Sequence, residues 1–150
     1  MSDIQISTAL HATAELTQEL NVLVRQLSKT AAPLTIDALA ALIASDSAML
    51  LLAESEAGVV GMLTLITYPI PTGIRARIED VVVDESARGK GVAFELTSAA
   101  VELARQAGAR TVDLTSRPER ESANRLYQRA GFKPRDSVTY RLTLSTATAH

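Results

Sequence analysis

The stretch VVVDESARGKGVAFELTSAA, residues 81–100, constrains the fold more than any other part of the chain. An apolar triplet runs into a short charged loop, then two glycines around a lysine, then an amphipathic helical pattern. Val92, Leu96, Ala99, Ala100, Leu103 and Ala107 share one helical face, and Gly108 is placed to end that helix. RTVDLTS follows with the composition of a buried strand. A strand that returns to the same sheet after a helix makes a parallel crossover, so this unit predicts a layered α/β domain.

The flanking segments fill in the layers. IQISTA, residues 4–9, alternates like a short strand, and apolar positions 16, 20, 23, 24 and 27 predict a helix from Ala12 to Leu27. KTAAPLT breaks the pattern at Pro33, and Thr35 can cap a second helix over IDALAALIA. AMLLLAE and GVVGMLTLITY are apolar runs joined by SEAG, a hairpin composition, and their continuous apolarity implies a sheet covered on both faces. PIPTG predicts a stiff loop, and IRARIEDVVVD a third strand of this group. RESANRLYQRA reads as a helix closed by Gly131, and SVTYRLTL as a last alternating strand. The fold class expected is therefore α/β, with a mixed, mostly antiparallel central sheet flanked by helices on both faces.

Composition narrows the chemistry. Residues 1–150 suit one domain, with 47% apolar and 21% charged residues. There is no cysteine, which excludes disulfides, thiolate metal sites and a cysteine nucleophile. With His11 and His150 the only histidines, no histidine-built metal site or triad is expected. The N-terminal segment lacks the pattern of a signal peptide, and no apolar run reaches the ~20 residues of a membrane span, so the expectation is a soluble cytoplasmic protein with no membrane partner. Residues 1–75 carry three basic against seven acidic side chains, and residues 76–150 twelve against ten. The basic half holds the glycine loop, which suits an anionic ligand better than a nucleic acid.

Three phosphate-binding designs compete for that loop. A Walker A loop needs Ser or Thr directly after Gly-Lys, but Gly91 follows Lys90. A dinucleotide fingerprint needs a third glycine where Phe94 stands, and no early strand precedes it in the required order. The third is an Arg/Gln-x-x-Gly-x-Gly/Ala turn, matched by Arg88, Gly89, Lys90, Gly91, Val92 and Ala93. Its small residues let consecutive backbone N–H groups turn toward an anion at a helix N-terminus, where the helix dipole also favours negative charge. An ordinary strand-to-helix turn with solvated basic residues fits the same six positions.

Together with ESANRLYQRAGF, residues 121–132, this turn resembles the acyl-CoA loop and second helix motif of the GNAT superfamily of N-acetyltransferases. The resemblance covers residues 48–142 well and the first 45 by the order of elements. It implies a GNAT-like fold in which acetyl-CoA is the cosubstrate and an amine the acceptor. Its pyrophosphate would lie on residues 88–93, and its pantetheine arm would pair with backbone groups of Val81, Val82 and Val83 at a splayed strand end.

The resemblance also implies direct attack by the amine, without an acyl-enzyme. Tyr127 is the candidate general acid, since a phenol of pKa about 10 stays protonated at neutral pH and can protonate the departing thiolate. Glu79 or Asp80 is the candidate base for the ammonium of the acceptor, with Glu79 preferred for its parity with Val81 and Val83 along an alternating strand. Asn124 can bond the pantetheine or a phosphate. Arg120 or Arg125 can reach the nucleotide phosphates, and Arg129 reads as a solvated face. SKTAAPLT, YPIPTG and the final strand around Tyr140 are left to shape the acceptor site. The acidic N-terminal half suits a cationic small amine, aminoglycoside, polyamine or peptide amine. A sensor that binds acyl-CoA without turnover is the competing function, and a homodimer is compatible with either.

Overall fold

The computed structural model describes residues 3–144. After strand β1 (Gln5–Thr8), helix α1 (Ala14–Leu27) begins at Thr13, whose side-chain oxygen accepts the Leu16 N–H at 3.0 Å. The cap places the helix start two residues later than its apolar period does. Thr35 caps α2 (Ile36–Ala44) in the same way, accepting from Ala38 N–H at 3.1 Å. The break between these helices is pinned by Asn21, which donates to the Leu34 carbonyl at 2.9 Å and accepts from the Leu34 N–H at 2.8 Å.

Strands β2 (Ala48–Ser55), β3 (Gly58–Ile70) and β4 (Gly73–Val83) form an antiparallel meander with β1 paired to β2. A one-turn 3₁₀ helix (Glu85–Ala87), helix α3 (Val92–Gln106), strand β5 (Val112–Asp113) and helix α4 (Glu121–Arg129) follow. The sheet order is β1-β2-β3-β4-β5, and only the crossover through α3 makes a parallel pair, β4 with β5.

The sheet is covered on both faces, as its apolar strands require. Leu50, Leu52, Met62 and Val82 pack with Leu20 and Leu23 of α1 and Leu39 of α2. On the other face Leu51, Leu63, Leu65, Ala76 and Ile78 pack with Val92, Leu96, Ala100 and Ala104 of α3. Leu51, Leu63, Leu65 and Leu96 are each at most 1% exposed, and burying a side chain of this size contributes roughly 1.5–3 kcal/mol. Helix α3 comes close to the sheet at Gly61, where an added Cβ would stand 3.2 Å from Leu96.

Three expectations are corrected. PIPTG is not a loop: β3 runs on through Ile70 and turns at residues 71–72. Pro69 lies past Ala48↔Ile66, the last pair with β2, where one side of β3 has no strand partner among the described residues and a strand tolerates proline. RTVDLTS gives a two-residue strand at the sheet edge with Asp113 exposed, because its pairing with β4 stops after two residues. SVTYRLTL pairs with no strand among the described residues and lies outside the sheet. No helix among the described residues is long and apolar enough to cross a membrane.

Candidate active site

The site opens where β4 and β5 part. Their ladder consists of Ala76↔Val112 and Arg77↔Asp113, so beyond Arg77 this edge of β4 has no strand partner among the described residues. Asp84 N–H donates to the Val60 carbonyl at 2.7 Å, which by the alternation of strand main chain turns the Val83 peptide groups away from β3. Arg88 Nε reaches the Val83 carbonyl on that open side at 3.1 Å.

A bulge interrupts β4 at the same place. Met62 pairs with Val82 and Thr64 with Glu79, which leaves Asp80 and Val81 together opposite Leu63. Asp80 takes a positive φ of 51°, a conformation aspartate tolerates better than most residues. The extra residue reverses the facing of side chains. Ala76 and Ile78 before the bulge face the α3 core, as do Val81 and Val83 after it, while Val82 faces α1 and α2. The parity argument for Glu79 therefore fails: Glu79 does not share a face with Val81 and Val83. Its Oε2 instead accepts from Arg77 Nε at 2.6 Å, and Arg77 also donates to Thr115 Oγ1 beyond β5.

Beyond β4 the chain forms the glycine turn. Gly89 and Gly91 have φ of 78° and 80°, and Gly91 occupies the N-cap of α3, where no side chain caps the helix. The first N–H groups of α3 thus face outward with the positive end of the helix dipole. Gln26 of α1 braces the approach: its Nε2 donates to Asp84 Oδ1 at 2.7 Å and its Oε1 accepts Glu85 N–H at 3.1 Å. The hydroxyl and N–H of Ser86 and the Nε2 of Gln26, all donating to the Asp84 carboxylate, hold its pKa below the ordinary value, with Ser86 the largest cause.

The parted strands, this turn and α4 enclose a cavity of about 1110 Å³. Val81, Val82, Val83, Arg88, Gly89, Gly91 and Ala93 line it, as the sequence motif places them. Lys90 is exposed outside the lining, and the Val92 side chain is buried in the core, so Val92 offers a ligand only its main chain. Asn124 also lies outside it: its Nδ2 donates to the Arg117 carbonyl at 3.0 Å and holds the loop before α4. Arg120, Arg125 and Arg129 all border the cavity. Arg129 is more than a solvated side chain, because its guanidinium stacks 4.8 Å from the Phe94 ring centre and ties α4 to α3.

Tyr127 stands where this cavity meets a smaller one of about 170 Å³, lined also by Glu79, Asp80, Thr115 and Arg120. Its ring packs edge-on against Phe132, with centres 6.0 Å apart at 66°. Among the described residues no hydrogen bond holds its hydroxyl. Burial pushes the phenol pKa above its ordinary 10.0, and the Arg120 charge offsets part of that rise. Asp80 keeps contact with solvent, yet surrounding protein desolvates its carboxyl and the neighbouring Glu79 repels its charge, so its pKa is raised from 3.8. No hydrogen bond among the described residues engages the Asp80 carboxylate.

An uncapped helix start in a glycine turn, five bordering arginines including Arg88 and Arg117, and an open strand edge fit a long anionic ligand with an amide-bearing arm. The profile of the acetyltransferase (GNAT) family matches residues 14–132. The chain belongs to this family. An uncharacterized N-acetyltransferase of Methanocaldococcus jannaschii is 35% identical over 63 residues, a match spanning 42% of this GNAT chain and 28% of that relative's length. An aminoglycoside acetyltransferase from an uncultured soil metagenomic sample superposes with a TM-score of 0.84 at 18% identity, over 95% of this chain and 97% of its own. An aminoglycoside N-acetyltransferase solved with CoA gives a TM-score of 0.75 at 19% identity, covering 93% and 94%. At these identities the structural likeness establishes the GNAT fold.

Gln26, Arg77, Thr115 and Ser116 enter the site without having been singled out in the sequence. Ser116 borders the larger cavity with a buried hydroxyl that has no hydrogen-bond partner among the described residues. Gln26 is one polar position beside an apolar stripe, and only the fold brings it 58 residues along the chain to Asp84. The Arg77–Glu79 spacing of two is a visible same-face signal in a strand.

Proposed function

We propose that this GNAT chain is an acetyl-CoA-dependent N-acetyltransferase that moves an acetyl group directly to a primary amine. The carrying observation is the position of Tyr127 on the wall shared by the large cavity and the acidic pocket holding Asp80. Acetyl-CoA supplies the acetyl group as a thioester, at the activation that amide formation needs. The α3 N-terminus and Arg88 bind the pyrophosphate, and the open edge of β4 at Val81 to Val83 orients the pantetheine arm. Val82 completes that edge, and Lys90 adds screened attraction from outside the cavity.

Asp80 is the base of this reading. Its carboxylate lacks a protein partner and its raised pKa makes it a better proton acceptor than an ordinary aspartate, while Glu79 is held by Arg77. Asp80 takes one proton from the arriving ammonium, directly or through a water. The amine nitrogen then bonds to the acyl carbon as the carbon–sulfur bond breaks. Tyr127 gives its proton to the sulfur; of the two protons then in surplus, one on Asp80 and one on the new amide nitrogen, one returns to Tyr127 and the other leaves to solvent.

The acceptor class is a cationic small amine, an aminoglycoside or a peptide amine, reached through the acidic pocket. The acidic N-terminal half and the aminoglycoside acetyltransferases among similar folds support it. Thiol release measured over a panel of such amines tests the function. At least one amine should raise thiol release well above the amine-free rate. Saturable acetyl-CoA binding with no amine-dependent release across the panel would instead make the chain a binding module.

A further inference from the structure

Given the acetyl transfer proposed above, on which this rests, we propose that Arg120 is the anion-binding residue of the acceptor pocket and that the acceptor is an amino acid, its carboxylate on Arg120 and its amine at Asp80. The smaller cavity, of about 170 Å³, is lined by two carboxylates, Glu79 and Asp80, and by one cation, Arg120. Glu79 is already engaged by Arg77, which lies outside the lining. No hydrogen bond or ion pair among the described residues engages the exposed Arg120 guanidinium, and it makes no capping bond at the start of α4. Arg120 and Asp80 thus stand in one small pocket with opposite charges and no pair between them. A ligand with one charge of each sign fits that gap, and a carboxylate can take two parallel N–H groups of a guanidinium.

The other arginines of the site are placed for a different task. Arg88, Arg117, Arg125 and Arg129 border the larger cavity alone, whereas Arg120 borders both cavities. Its charge works against the rise that burial causes in the Tyr127 pKa, so it acts where Tyr127 stands. A pantetheine arm separates its thioester from its pyrophosphate by about the length of four extended residues, which keeps a guanidinium beside Tyr127 away from phosphates on residues 88–93. The size of the pocket points the same way. About 170 Å³ is below the roughly 300–1,000 Å³ that enclose a drug-sized ligand, and it suits a molecule as small as one amino acid better than an aminoglycoside of several rings. Leu27, Ile78 and Leu114 give it apolar walls for a carbon skeleton. A phosphate in place of the carboxylate would bring nearly two negative charges toward Glu79 and Asp80, with one arginine to offset them, so the carboxylate is the better match.

Thiol release from acetyl-CoA, measured on the full chain for a set of α-, β- and γ-amino acids and for the amide of each, tests this. The amide keeps the shape of the acid, loses the carboxylate and holds its ammonium proton less tightly, so unaided chemistry favours the amide near neutral pH. At least one amino acid should nevertheless exceed its amide in kcat/KM by about tenfold or more, and Arg120→Gln should bring that ratio close to one. Amides that match or exceed their acids in every pair overturn the proposal and leave acetyl transfer to amines standing. A loss in Arg120→Gln that acid and amide share equally, with a parallel fall in coenzyme A affinity, puts Arg120 on the coenzyme and also overturns it. Calorimetric titration of the amino acids into the coenzyme A complex adds a readout that needs no turnover. Binding of the preferred amino acid should saturate in the wild type and weaken by about tenfold or more in Arg120→Gln. That binding without thiol release from any member of the set would support the anion site while removing the transfer; neither binding nor release for any amino acid overturns the proposal.

Discussion

Tyr127→Phe separates chemistry from stability more cleanly than any other substitution in the site. The hydroxyl it removes has no hydrogen-bond partner among the described residues, so folding loses no bond. The ring stays, and with it the edge-on contact to Phe132 at 6.0 Å. The stability change should fall within about 0.5 kcal/mol, the range of substitutions that break no specific interaction. Tyr127→Ala would not serve, because emptying a buried aromatic site costs about 3–5 kcal/mol by cavity formation.

Loss of the proton that meets the departing sulfur should lower kcat by about 10- to 100-fold, equal to roughly 1.4–2.7 kcal/mol of barrier. KM for acetyl-CoA should change little, since the glycine turn and strand edge are untouched. The assay is thiol release at saturating amine, with a melting curve and a coenzyme A titration on the same preparation. Because burial raises the phenol pKa above 10.0, the wild-type rate should show no alkaline fall from this group between pH 7 and 9. Unchanged kcat refutes the acid role, and a fall in kcat that tracks a fall in melting temperature or coenzyme affinity refutes the argument from structure.

Asp80→Asn should lower kcat by at least tenfold at pH 7, and Glu79→Gln by less, as compared by pH–rate profiles. Asparagine also accepts a φ of 51°, so the first variant removes charge without new strain. The folded state holds the Asp80 proton more tightly than the unfolded chain does, so this group costs stability as pH rises from 3.8 through its raised folded pKa. Asp80→Asn should accordingly raise the melting temperature at pH 7 and gain less at pH 4; a lower one at pH 7 would contradict the desolvation argument. Gln26→Leu removes two bonds that brace the turn at Asp84 and Glu85, and should cost about 0.5–1.5 kcal/mol and raise KM for acetyl-CoA severalfold with kcat unchanged. Unaltered KM would show that the brace does not set the turn. Gly91→Ala meets no atom within 4 Å and should cost about 1–2 kcal/mol through its left-handed backbone alone, whereas Gly91→Glu should also abolish coenzyme A binding in a titration. Retained binding by the glutamate variant would remove the phosphate from this turn.

Most of the fold was legible because its signals are local. Thr35 caps α2, Gly91 opens α3 and the apolar periods of α1 and α3 describe the faces that are buried. The glycine turn and Tyr127 were equally readable, since short motifs place them on either side of one crossover. The bulge at Asp80 was not: nothing in IRARIEDVVV marks an extra residue, and the extra residue decides which way each acid points. The same holds for the end of β5, where the parting of two strands depends on the whole sheet and not on RTVDLTS. SVTYRLTL shows the opposite case, an alternation plain in the sequence that pairs with no strand among the described residues.

Direct acetyl transfer would take place where the two cavities meet, at the wall formed by Tyr127. Its most direct measurement follows acetyl-CoA and an amine found active in the panel through one reaction, with free thiol, acetylated amine and intact protein mass recorded together. Direct transfer predicts thiol and acetylated amine in equal amounts and a protein that never gains an acetyl group during turnover. An acetylated protein that forms before the product and decays into it, or thiol release without acetylated amine, would contradict the account.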